Sequence, residues 1–463
     1  MNQEIKDITG ITKKNLFENG LFSKLDIRKI ILPLIAEQAL LLSLGTFDTL
    51  MVSSAGEKAV SGVSLVDTVN TLLIFLFSAL ATGGAIVVGQ YLGNKNTKES
   101  RIASKQLLTV SLLVALFFMT ICLVFNGQLL SLIFGHLDQG VLQNSKIYLY
   151  VTACSFPFIA LYSSSAGLFR AMGNTRVAMT ISLIVALLDI GANALFIYVF
   201  KWGAFGAAVS TLFSRIIASM IMLVLLRKPS LPISVRKYDF WRVNGAMMKT
   251  IFKISIPFSL ESTVFQIGKI VLTGLIVTFG IEAITANAVT GSLTNIATIP
   301  GQAFWMVITT VVAQCIGAKE FEQARLYTKH LLKTAWALMI GMNLFLFVLL
   351  RPILSLYHLS DVTFSISYNI MMIHIFGFVT VWLISFALPN SLRASGDVKF
   401  PMMISAFSMF VFRIGFSYIL AYGFGFGVYS IYLAMILDWT FRFICFLVRW
   451  QSGKWKNYAI VQE

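Results

Sequence analysis

Two carboxylates stand inside an apolar run near the start of the chain, in PLIAEQALLLSLGTFD from Pro33 to Asp48. Glu37 and Asp48 are eleven residues apart, close to three turns of α-helix. Both therefore lie on nearly one face, about 16 Å apart along the axis. A carboxylate at the centre of a membrane helix costs about 3 kcal/mol, and its default reading is a functional site. The chemistry open to such oxygens is the holding of a cation: hard carboxylate ligands suit Na⁺ and equally hold a proton. Three further acids, Asp67, Asp189 and Glu261, stand in other apolar runs. Facing lipid, the five would together cost about 15 kcal/mol, so most of them must face water, protein or a bound cation.

The elements that position these acids are membrane helices. The chain has 463 residues, 57% hydrophobic and 12% charged, with a mean hydropathy of +0.81. A soluble domain carries about twice that charged fraction. Twelve apolar runs are long enough to span a bilayer: 29–52, 61–88, 106–134, 145–169, 178–200, 204–226, 251–278, 284–316, 331–350, 366–390, 401–422 and 428–449. Residues 1–27 are polar and mixed in charge. No small-residue cleavage site follows the first apolar run, so they read as a cytoplasmic tail with a short amphipathic piece around Leu16–Phe22.

The net charge of +16 has its use in topology rather than in nucleic-acid binding. With the N-terminus inside, the cytoplasmic segments hold 28 of the 36 basic residues. Outside stand only Lys58, Lys146, Lys201 and Arg351; Arg215, Lys269, Arg413 and Arg442 fall within spans. This bias places both termini in the cytoplasm. Cys122, Cys154, Cys315 and Cys445 sit singly in apolar runs without ligand-like spacing, and the histidines do not cluster. Neither zinc nor a disulfide framework is indicated.

The chain repeats itself. At a constant offset of 224, Pro33 pairs with Pro257, Glu37 with Glu261, Gly56 with Gly280 and Ala59 with Ala283. Gln90, Gly93 and Lys95 pair with Gln314, Gly317 and Lys319, and RIASKQLL from Arg101 with RLYTKHLL from Arg325. The offset then slips by one, and RAMGNTRVAMTIS at 170–182 matches RASGDVKFPMMIS at 393–405. A six-span unit has been duplicated. The expected fold is an all-α membrane protein of twelve transmembrane helices in two six-helix lobes. Because six is even, the lobes should be related by a pseudo-twofold along the membrane normal. The expected parts are a tail at 1–27, an N-terminal lobe at 28–226, an inter-lobe loop at 227–250, a C-terminal lobe at 251–450 and a tail at 451–463.

Five stretches carry a resemblance to a known family: Pro33 followed by Asp48-Thr-Leu-Met-Val, Gly89-Gln-Tyr-Leu-Gly93, Arg170-Ala-Met-Gly-Asn, Arg393-Ala-Ser-Gly-Asp, and Gly203-Ala-Phe-Gly206-Ala-Ala. Over about residues 28–450 the chain resembles the MATE (multidrug and toxic compound extrusion) cation-coupled antiporters. The resemblance implies two facing six-helix bundles, alternating access, and export of organic cations in exchange for Na⁺ or H⁺. Asp48 stands where the family's first-span aspartate stands. In span five the family often shows Asn-x-x-x-Asp; this chain has Asp189 and Asn193 instead. Residues i and i+4 share a helix face, so the exchange keeps one carboxylate and one amide and moves the charge by one turn. Asp48, Asp189 and Asn193 are the expected cation site, for Na⁺ or a proton, with the hydroxyl of Thr211 in span six as a further ligand.

Glu37 and Glu261, each four residues after a span-opening proline, are expected as substrate-attracting carboxylates or as partners of nearby basic groups. Lys269, two turns beyond Glu261, is a candidate partner of it or a proton-dependent switch, and Lys269 and Asp67 are further substrate-side candidates. The repeat equivalents of Asp48 and Asp67 are Leu272 and Gly291, so the acidic cluster belongs to the N-terminal lobe. Arg413 lies one position from the equivalent of Asp189, placing positive charge where the first lobe has negative. Asp438 and Arg442, at i and i+4, read as a structural pair.

These observations lead to a secondary active exporter of amphipathic, often cationic, small molecules in the cell membrane. It is expected to be a monomer, with the lipid bilayer and organic drugs as partners, no nucleic acid and no cofactor beyond the coupling ion. A lipid-linked saccharide flippase of related architecture is the alternative; it predicts extra spans or a cavity rich in basic residues. An ATP-driven pump lacks support, since no Gly-x-x-x-x-Gly-Lys-[Ser/Thr] loop occurs, and nothing points to an enzyme.

Overall fold

The computed structural model describes residues 16–53, 57–135, 138–235 and 243–461, with side chains for all of these except 42–50, 52, 53, 57 and 58. Every regular element among them is helical. In an apolar solvent each backbone N–H and C=O must be paired within its own segment, and the helix does this. Ten of these helices are long and apolar enough to cross a membrane, and a bent pair makes an eleventh. Lys24–Ser53 forms a further helix of 30 residues.

The helices run in order α1 (Leu16–Asn19), α2 (Lys24–Ser53), α3 (Glu57–Gly93), α4 (Thr97–Val124), α5 (Asn126–Phe134), α6 (Gln139–Ala153), α7 (Phe156–Ala171), α8 (Thr175–Asn193) and α9 (Gly203–Leu226). The second half continues with α10 (Gly245–Val277), α11 (Ile281–Gly317), α12 (Phe321–Ser355), α13 (Asp361–Gly377), α14 (Leu383–Ala394), α15 (Lys399–Ser408), α16 (Phe416–Tyr418) and α17 (Tyr429–Gln451). Two compact units result: Leu32–Ser259, and Leu260–Glu463 together with Met1–Ile31. Each division falls within three residues of a helix-interior proline, Pro33 in α2 and Pro257 in α10, where a missing N–H interrupts the helical ladder.

In the unit Leu32–Ser259, the span expected as one helix over 145–169 is two. α6 and α7 meet at a 48° bend. Pro157, in the first turn of α7, has no N–H to continue the ladder of α6. At the break, the Ser155 hydroxyl donates to the Thr152 carbonyl at 2.6 Å. α8 ends in a π-helical turn, Ala194–Val199, and Phe196 stacks on Trp202 with ring centroids 5.3 Å apart. This turn leads directly into α9. The core gathers Val66, Leu73, Phe77, Leu149, Phe156 and Ala160 with the small residues Ala204, Ala207 and Ala208. A Cβ on Gly83 of α3 would lie 2.7 Å from the Ser255 Cα, so glycine there permits close helix packing.

The other unit interrupts its helices as well. π-helical turns occupy Phe378–Trp382, Met409–Gly415 and Ile419–Gly423. The amphipathic piece around Leu16–Phe22 packs on α12: the Phe22 N–H donates to the Tyr327 hydroxyl at 2.9 Å, and that hydroxyl lies 2.7 Å from the Phe22 carbonyl. At the C-terminal end, Trp455 stacks on Trp450 at 4.3 Å and Lys456 pairs with Glu322 at 2.6 Å.

Candidate cation site in the N-terminal half

Asp189 is 4% exposed, one turn before the end of α8. Its carboxylate is held from α9. The Ser214 hydroxyl donates to Oδ1 at 2.8 Å. The Ser210 hydroxyl, one turn earlier, reaches Oδ1 at 3.3 Å and the Asp189 carbonyl at 2.9 Å. The Asn193 amide lies 3.4 Å from Oδ2. Serines at i and i+4 place both hydroxyls on one face of α9.

Asp67 of α3 belongs to the same place. Its Oδ1 accepts from the Tyr148 hydroxyl at 3.1 Å and from the Asn70 amide at 3.4 Å. Arg215, next to Ser214 on α9, donates to the Ser155 hydroxyl at 2.7 Å and lies within Coulombic range of Asp67. The break between α6 and α7 thus supplies the group that seats this arginine.

Asp67, Asp189, Asn193, Thr211, Ser214, Arg215, Tyr148 and Tyr162 line one cavity of about 350 Å³, with Val60, Val63, Ile159 and Val185 among its apolar walls. Two carboxylates meet one guanidinium there. With both acids ionised, the described lining carries one uncompensated negative charge, in surroundings where charge is costly. Carboxylate, amide and hydroxyl oxygens are hard donors, fitted to Na⁺ or to a proton and not to a soft metal. Asp48 lies on α2, but its side chain is outside the described residues.

The repeat-related glutamates stand elsewhere, and both are paired. Glu37, 4% exposed, meets the Arg170 guanidinium at 3.2 Å. Glu261 takes both arms of Arg393, at 2.6 and 3.2 Å, and the Ser405 hydroxyl at 2.6 Å. Its partner is Arg393 rather than Lys269, because a planar guanidinium meets both carboxylate oxygens at once. Arg170 and Arg393 also end their helices beside Gly173 and Gly396, which take positive φ values of 76° and 98°. Lys269 is exposed on α10.

Ser210, Ser214, Tyr148 and Arg215 were not among the expected site residues. The serine spacing and an arginine inside a span were the available signals. Most span hydroxyls satisfy themselves on their own helix, as Ser104 does on the Ser100 carbonyl, so spacing alone does not single out this pair.

The MatE family model matches residues 33–195 and 257–419, once in each half of the chain. The chain belongs to the MatE family. Among relatives, the uncharacterized transporter YisQ of Bacillus subtilis is 26% identical, over 91% of this chain and 93% of its own length. The probable multidrug resistance protein NorM of Thermotoga maritima is 24% identical, over 94% of each. A MOP superfamily transporter structure from Pyrococcus furiosus superposes with a TM-score of 0.86 at 18% identity, covering 93% of this chain and 96% of that one. At that identity the likeness is one of fold. The cavity described above lies within the first of the two MatE repeats and in α9, which follows it.

Proposed function

We propose that this MatE protein exports amphipathic organic compounds, many of them cationic, in exchange for Na⁺ or H⁺ that binds in the cavity around Asp189. The supporting observation is that cavity: among its described residues, buried Asp189, Asp67 and one arginine leave a single negative charge, bordered by hydroxyl and amide oxygens. A bound monovalent cation lowers that charge. Occupancy then changes the relative stability of the transporter's two access states, which is all that coupling requires. The names of relatives such as NorM support drug-like cargo. Asp48, on the neighbouring α2, is proposed as a further ligand. We further propose that the protein acts in the cell membrane as a monomer, with both termini cytoplasmic.

The test is ethidium transport by the purified protein in liposomes, with a Na⁺ gradient and a pH gradient imposed separately. Transport driven by one of them is expected, reduced about tenfold or more in Asp189→Asn and in Asp48→Asn at normal protein levels, since a lost coupling energy of about 1.4 kcal/mol is a tenfold effect. No transport under either gradient from a folded sample would overturn the reading and direct attention to a lipid-linked saccharide.

A further inference from the structure

The unit that includes Leu260–Glu463 holds a polar centre of opposite sign. Asp438 of α17 is fully buried. It accepts from the Ser408 hydroxyl, pairs with Arg442 at 3.1 Å, and meets Arg413 at 3.5 Å. Lys269 of α10 lies within Coulombic range of Arg413. Glu261 contributes no free charge, because Arg393 takes both its oxygens. Among the described residues, two arginines thus contact one carboxylate and Lys269 adds a third cation on the Arg413 side, an excess of two positive charges inside membrane helices.

Two donors in this centre are unspent. The Arg413 Nε and the Trp439 indole Nε1 are buried without a hydrogen-bond partner, and buried polar groups are ordinarily paired. They belong to neighbouring groups, since the Arg413 guanidinium carbon lies 5.8 Å from the Trp439 ring centre. Aromatic rings border the same place: Phe378 stacks on Trp439 at 5.6 Å, and Trp382 on Phe386 at 5.2 Å. Arg442 lies against Phe265 and Phe386, so its charge is already committed to Asp438 and to ring faces. Arg413 has the longest contact to Asp438 and retains 12% side-chain exposure; Lys269 is exposed. The π-helical turn Met409–Gly415 carries Arg413, and such turns recur at functional positions because they re-aim a side chain.

We propose that this unit binds the anionic group of an amphipathic aromatic compound, a carboxylate or its equivalent, on Arg413, Lys269 and the indole N–H of Trp439. A planar guanidinium and an indole N–H are matched to carboxylate oxygens, and the surrounding rings take the aromatic body. That the bound compound is also an exported one rests on the function proposed above; the binding itself does not. An anionic lipid headgroup offers the same chemistry.

The test compares a rhodamine carrying a free carboxylate with the methyl ester of the same dye. Binding to the full-length protein in neutral phosphatidylcholine nanodiscs is read by dye anisotropy. The free acid is expected to bind about tenfold more tightly than the ester, and Arg413→Gln should bring the ratio to about one. Lys269→Gln, at an exposed position, should lower the same ratio severalfold, and it keeps the test open if the arginine variant does not fold. Loss of the preference on adding phosphatidylglycerol would keep the anion site and assign it to lipid. Equal binding of acid and ester by the unaltered protein, or an unchanged ratio in both variants, would overturn the inference. Ion-driven ethidium transport is a separate readout, so export without acid preference sinks this inference alone.

Discussion

Asp189 owes its setting to α9. The Ser214 hydroxyl at 2.8 Å and the Ser210 hydroxyl at 3.3 Å hold the carboxylate in one orientation, and each such bond is worth about 1 kcal/mol net. Ser214→Ala should therefore weaken coupling-ion affinity about fivefold while leaving transport at saturating ion in place, as an ion titration of ethidium export would show. An unchanged apparent affinity would mean that Ser214 does not orient the site. Glu261 and Arg393 make a different kind of contact, with two short bonds between buried groups. Removing one member leaves a buried charge alone, so Glu261→Gln should cost about 3 kcal/mol of stability. The double variant Glu261→Gln, Arg393→Gln should recover much of that, a pattern a thermal-melt cycle reads directly. A carboxylate in an apolar run is legible because it is expensive; its partners are not. Glu261 was visible from its position after Pro257, yet Arg393 lies 132 residues away, and only the fold brings them together.

At the scale of elements, hydropathy finds a span and misses its register. Residues 145–169 and 401–422 read as single apolar runs, because a bend or a π turn changes hydrogen-bond partners without changing side-chain polarity. The break at Cys154 and Ser155 and the turn Met409–Gly415 place Arg215 and Arg413, so the features that aim the charged groups are those periodicity does not carry. Glycine at a helix end is more legible. Gly396 has φ 98°, and a Cβ there would strike the Tyr458 carbonyl. Gly396→Ala is expected to cost more than about 1 kcal/mol, since alanine does not fit that conformation. It should also loosen the C-terminal segment that stacks Trp455 on Trp450. Faster proteolysis of the tail beyond Gln451 and a lower melting temperature are the expected results; wild-type protection would mean that the tail is not seated through Gly396.

For the whole molecule, the duplication was readable from Pro33 and Pro257, Glu37 and Glu261, and the two Arg-Ala-x-Gly stretches, and with it the twelve-helix, two-unit architecture of the MatE family. The compact units divide at Leu32 and Leu260, inside α2 and α10 rather than in a loop, close to Pro33 and Pro257. The repeat also exposes a difference of charge. One unit centres on Asp189 with Asp67 and Arg215, the other on Asp438 with Arg413 and Arg442. A reading by composition averages this away.

Outward movement of an organic compound and inward movement of a cation are proposed to be coupled through Asp189. Linkage makes coupling reciprocal, so the direct measurement is ion flux driven by drug. Liposomes containing the purified protein are given an outward ethidium gradient, with no ion gradient, and internal Na⁺ and pH are followed by trapped dyes. Ethidium release is expected to draw one of the two ions inward, and Asp189→Asn to abolish this ion movement at equal protein content. Ethidium release with neither ion moving, or an ion flux unchanged in Asp189→Asn, would contradict it.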